Sequence, residues 1–152
     1  TVKVSGRSSG CIIESNGFTY TVNTLPTVTL TNSTSNNTLC SGETVTFTGG
    51  GAAVYEFFVN GISSQGPSVT NNFDINTLMN GDIVTVEGQT NNCINTTTPN
   101  TMIVITLPNV TFLSSDPNDT ICGGESVTFT ASGATAYEYF IDNVSQGAPS
   151  AN

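Results

Sequence analysis

The sequence predicts an all-β chain of tandem immunoglobulin-like β-sandwich repeats, each of about 82 residues. Three observations predict it. The stretch Cys40-Ser-Gly-Glu-Thr-Val-Thr-Phe-Thr48 returns 82 positions later as Cys122-Gly-Gly-Glu-Ser-Val-Thr-Phe-Thr130. At that offset residues 1–63 align with 83–145 without a gap and 28 of the 63 pairs are identical, so the period belongs to the chain and not to one motif. Within one period, about seven short β-forming runs are separated by turn signals every 8–12 residues, and no helical period is present. Thr, Asn and Ser make up 60 of the 152 residues, and β-branched Thr suits exposed strand faces. The register predicts one complete repeat, residues 27–108. It lies between the C-terminal strands of an upstream repeat, residues 1–26, and the N-terminal strands of a downstream one, residues 109–152.

Taken in order, residues 1–10 alternate and read as a late strand of the upstream unit. A polar loop after Cys11 leads to a final strand at residues 18–24. Leu25-Pro26 is a short stiff junction, because proline holds the residue before it extended. The complete repeat opens with a strand at residues 27–31. The organising stretch supplies a second strand at residues 43–48, with Val45 and Phe47 inward, and Gly49-Gly50-Gly51 breaks it. Residues 54–59 are the most strongly β-forming run, and Asn60-Gly61 after it is a hairpin signal. Alternation places Tyr55, Phe57 and Val59 on one face and Val54, Glu56 and Phe58 on the other. Weak strands follow near Val69 and at Asp74-Ile75, and Leu78 plugs the core before the Asn80-Gly81 turn. Residues 82–88 form a strand with Val84 and Val86 inward. A loop holds Cys93, and residues 101–106 close the unit. The expected core is Val45, Phe47, Tyr55, Phe57, Leu78, Val84 and Val86.

Composition excludes several function classes. Net charge is −9, with Lys3 and Arg7 the only basic residues, which argues against nucleic acid or anionic lipid as partners. No apolar run approaches the roughly 20 residues of a membrane helix. With no His, one Lys and one Arg, the usual acid–base and nucleophilic sets cannot be assembled, so no enzyme, cofactor or metal site is expected. Glu43 and Glu56 read as solvated strand positions, and Gly49-Gly50-Gly51 as a turn, since no Gly-Lys-Ser/Thr follows it. Asp116-Pro-Asn-Asp119 lacks the full spacing of a calcium loop and reads as a polar turn. Phe58 and its counterpart Phe140 point outward once per repeat, as candidate contact aromatics.

Cys11, Cys40, Cys93 and Cys122 form no C-x-x-C pair, which speaks against zinc and for extracellular disulfides. Cys40 and Cys93 fall in one complete repeat, and closing that loop contributes roughly 4 kcal/mol. In immunoglobulin topology, however, they sit at opposite ends of the sandwich. A bridge from Cys40 to the counterpart of Cys93 in a following repeat is then the alternative, and both pairings stay open at this point.

The ordered set Thr38-Leu-Cys-Ser-Gly-Glu-Thr-Val-Thr-Phe-Thr48, Tyr55-Glu-Phe-Phe-Val-Asn-Gly61, Leu78-Met-Asn-Gly-Asp82, Asn92-Cys93 and Leu107-Pro108 resembles a known group. It is similar to the Ig-like and PKD-like tandem repeats of large secreted surface proteins of Bacteroidota, including gliding adhesins. The resemblance implies export by type IX secretion, a cell-surface or extracellular location and a non-enzymatic stalk role. Asp119-Thr120-Ile121 also resembles the O-glycosylation pattern of that phylum, which makes Thr120 a candidate site; Asn37-Thr38-Leu39 departs from it. The expected function is a structural segment of a surface fibre, stalk or adhesin. Its partners are neighbouring repeats or other copies, and surface glycans or proteins. The alternative is a carbohydrate- or protein-binding accessory module of a secreted multidomain enzyme.

Overall fold

A computed structural model describes residues 1–151, and among them there are sixteen strands and no helix. The chain divides into two compact units, Thr1–Ile105 and the residues from Thr106 onward.

The first unit opens with a hairpin of β1 (Ser5–Ser8) and β2 (Cys11–Glu14), to which Val2 and Phe18 add a further bridge. The expected strand at residues 18–24 reduces to that bridge. The parallel pairing that holds its counterpart in the complete repeat has no equivalent beside residues 21–23. Pro26 is buried, and its carbonyl accepts a hydrogen bond from Asn95 Nδ2 at 2.9 Å, so the junction is packed against the unit that follows it.

The complete repeat then supplies β3 (Thr29–Asn32), β4 (Thr38–Cys40), β5 (Val45–Gly50), β6 (Val54–Val59), β7 (Ile62–Ser68), β8 (Asn72–Ile75), β9 (Ile83–Thr90), β10 (Cys93–Thr96), β11 (Asn100–Thr101) and β12 (Ile103–Ile105). One antiparallel sheet has the order β3-β5-β8. The other runs β10-β9-β6-β7, with β11 also on β9, and β4 and β12 form a parallel pair. Alternation puts one face of each sheet inward. Between them lie Val45 and Phe47 from β5, Tyr55 and Phe57 from β6, Phe73 from β8, and Val84 and Val86 from β9. All seven expected core residues are buried, and Leu39, Phe73 and Met102 join them.

Local chemistry explains the departures. Strand β5 starts at Val45 and runs on through Gly50, so the break comes at Gly51, whose φ of +82° ends the extended run. Gly49 lies within the strand, paired with Leu30, and has no room for a side chain there, since a Cβ would stand 2.7 Å from the Tyr55 ring. Cys93 opens β10 instead of sitting in a loop, since Asn91 and Asn92 both take positive φ and make a two-residue turn. Cys11 opens β2 after the equivalent Ser9-Gly10 turn. Strand β7 ends at Ser68, leaving Val69 exposed, and because β7 is the edge strand of its sheet it accommodates Pro67.

The second unit contains β13 (Thr111–Ser114) paired with β14 (Phe129–Ser132), and β15 (Phe140–Ile141) paired with β16 (Val144–Ser145). Each pairing repeats one of the complete repeat displaced by 82: Thr111↔Ser132 matches Thr29↔Gly50, and Phe140↔Ser145 matches Phe58↔Ser63. The β1–β2 hairpin matches too, as Ser5↔Glu14 corresponds to Glu87↔Thr96 and Val2↔Phe18 to Val84↔Asn100.

Candidate contact surfaces and cysteine sites

Because pairings repeat at one offset, each side chain of a flanking segment can be compared with its counterpart in the complete repeat. Val4 is 68% exposed where Val86 is fully buried, and Phe129 is 51% exposed where Phe47 is fully buried. Val2, Tyr20, Phe112 and Ile121 are likewise exposed, while Val84, Met102, Leu30 and Leu39 are buried or half-buried. In the second unit, Phe112 stacks on Phe129 with centroids 5.3 Å apart and tilts against Tyr139 at 6.2 Å. Together with Phe140 and Ile141 these rings line an open apolar cleft. The offset is the sequence signal for these surfaces: it assigns core positions to residues 1–24 and 109–151.

The two contact aromatics differ. Phe58 is half-buried on the outer face of β6, between Thr85 of β9 and Ser63 of β7. Phe140 is exposed and lines the cleft just described.

The four cysteines are free; Cys93 is half-buried and the other three are exposed. Cys40 lies opposite Ile105, in the stretch beyond the point where Thr101 leaves Ile83, the first residue of β9. Cys93 lies opposite Thr90, the last residue of β9. The eight residues of β9 between these points span roughly 26 Å, whereas a disulfide needs Cα atoms within about 7 Å. The topology thus decides against a Cys40–Cys93 bridge within one repeat. Cys93 Sγ instead lies 3.8 Å from the carbonyl of Asn23.

Polar groups elsewhere are engaged in shaping turns. The Glu43 carboxylate accepts from the Cys40 amide at 3.0 Å, and Glu125 does the same for Cys122. Glu56 accepts from the Ser63 hydroxyl at 2.6 Å. Asp116 accepts from the amides of Asn118 and Thr120, which folds Asp116–Asp119 as a polar turn. Thr120 is exposed, and its hydroxyl donates to the Asn118 carbonyl at 3.2 Å. Among the described residues no three His, Cys, Asp or Glu side chains gather as metal ligands. The Tyr55 hydroxyl has a role that its core assignment did not anticipate. It accepts from the Ala52 amide at 3.0 Å and donates to the Ala52 carbonyl at 2.7 Å, closing the turn after β5. Tyr137 clasps Ala134 in the same way. Against known proteins, the chain matches no family model and no curated sequence.

Proposed function

We propose that this chain is a structural repeat segment of an extracellular fibre, stalk or adhesin on a bacterial cell surface, with no catalytic step of its own. The observation that carries this reading is the period. Strand pairing, the Tyr55 and Tyr137 turn clasps and the Glu43 and Glu125 amide contacts all recur at an offset of 82. Units of one design placed in series form quasi-one-dimensional arrays, whose stability grows with each neighbour interface and whose length grows with unit number. A packed junction supports it: Pro26 is buried, and Asn95 and Asn91 hold Pro26 and Asn23. A surface built of Thr, Asn and Ser with few charges suits a solvent-facing rod. The likeness to gliding-adhesin repeats supports the cell-surface location, export by type IX secretion and O-glycosylation at Thr120. Oxidised cysteines in such an array bridge Cys40 to the counterpart of Cys93 in a following repeat, not to Cys93 itself.

Small-angle scattering from arrays of increasing repeat number tests the reading. A cross-section that stays constant while length rises in proportion is expected. A compact or freely jointed particle overturns it. Saturable binding of the isolated segment on a glycan array marks an accessory binding module instead.

A further inference from the structure

We propose that the cysteines lace an array of these repeats into two interleaved covalent cables, which carry tension past the hydrophobic core and sharply limit how far the array extends. The proposal rests on the fibre reading and adds to it the course of the load.

One carbonyl position brings the sulfurs together. In the complete repeat Cys40 lies opposite Ile105 in the parallel β4–β12 pair, and the Ile105 carbonyl accepts from the Ser41 amide at 2.8 Å. The residue 82 positions before Ile105 is Asn23, and its carbonyl lies 3.8 Å from Cys93 Sγ. The carbonyl beside Cys40 of one repeat is thus the carbonyl that Cys93 of the next repeat touches. Its surroundings fix this contact, since Asn23 Nδ2 donates to the Asn91 carbonyl at 3.1 Å and Asn95 Nδ2 to the Pro26 carbonyl at 2.9 Å. Both cysteine places recur. Cys11 and Cys93 each open a strand after a two-residue turn of positive φ, and the amides of Cys40 and Cys122 each donate to a glutamate. Each bridge forms when two thiols give two protons and two electrons to the disulfide of a thiol oxidant, which leaves as two thiols.

Spacing then fixes the route of tension. Cys40 follows Cys11 by 29 residues, and Cys122 follows Cys93 by the same 29. A bridge leads from Cys40 of one repeat to Cys93 of the next, and 29 residues of backbone lead on to the Cys40 place of the repeat after that. Two repeats are traversed by one such span and one bridge, about 100 Å at full extension, or about 50 Å per repeat. Alternate bridges belong to separate cables, which gives two. An unbridged repeat of 82 residues extends to roughly 280 Å.

The load runs through β10, β11 and β12, the Leu107-Pro108 junction and the opening strands of the next repeat. Strands β5 to β9 lie between Cys40 and Cys93 and so outside it. They carry Phe47, Phe57, Phe73, Val84 and Val86, and the centre of the core is spared the pull.

Single-molecule stretching tests this on the 152-residue chain lengthened by further copies of residues 27–108, oxidised and held by its ends. The expected full extension is about 50 Å per added repeat without reductant and roughly 280 Å with it. Cys93→Ser in every repeat should give the longer value under both conditions, and the unfolding steps in the force trace check that those repeats fold. An oxidised extension of about 100 Å per repeat would place each bridge within one repeat and overturn the proposal. So would an extension that reductant leaves unchanged. Scattering from the reduced array needs no bridge, so failure of the fibre reading is told apart from failure of the cables.

Discussion

Phe57 and Phe73 meet between the two sheets of the complete repeat, ring centroids 5.5 Å apart and planes inclined at 30°. Phe73 also faces Phe47 at 6.5 Å along its own sheet, so three rings from β5, β6 and β8 form the centre of the core. The short strand β8 is thereby anchored chiefly by Phe73, with Ile75 packed beside it.

Phe47→Ala should cost roughly 3–5 kcal/mol, a large part of the stability of a unit this small. Phe129 is its counterpart but half of it faces solvent, and Phe129→Ala should cost no more than about 1 kcal/mol. Urea unfolding of the two variants at low protein concentration compares them. Equal losses would contradict the difference in burial.

Tyr55→Phe keeps the ring in the core and removes the hydroxyl that both accepts from and donates to Ala52. The expected loss is about 1–2 kcal/mol, because two backbone groups of a partly buried turn lose their partner. Amide exchange at Ala52 should accelerate. Unchanged exchange there would show that the clasp contributes nothing.

Gly51 and Gly42 both take positive φ, +82° and +83°, but only Gly51 is confined. A Cβ there would stand 1.8 Å from the Thr27 carbonyl oxygen, whereas at Gly42 it meets nothing within 4 Å. Gly42→Ala should therefore cost about 1–2 kcal/mol from backbone strain, and Gly51→Ala distinctly more, since backbone must shift. Thermal unfolding of the two variants gives the order, and a reversed order would refute the close approach.

Peptide mapping of an oxidised three-repeat array without reductant should recover no Cys40–Cys93 peptide. The two thiols lie beyond opposite ends of β9. Recovery of that peptide as the main product would require a topology other than the one described.

The sequence by itself determined the class of fold, the period and one inward face. Val45, Phe47, Tyr55, Phe57, Val84 and Val86 were readable because alternation along a strand is a local property, tied to the two-residue pleat. The Asn60-Gly61 turn was readable for the same reason, since its positive φ values need those residue types. Other features depend on partners distant in the chain. Leu39 and Met102 are buried because β4 and β12 lie parallel, and Phe73 because β8 pairs with β5; no local pattern marks any of them. The same holds for the cysteines, whose spacing leaves two pairings open until the course of β9 separates Cys40 from Cys93. It holds most clearly for Val4 and Phe129. Their residue types match buried counterparts, yet they are exposed, because burial belongs to the assembled pair of sheets and not to the strand that carries the side chain.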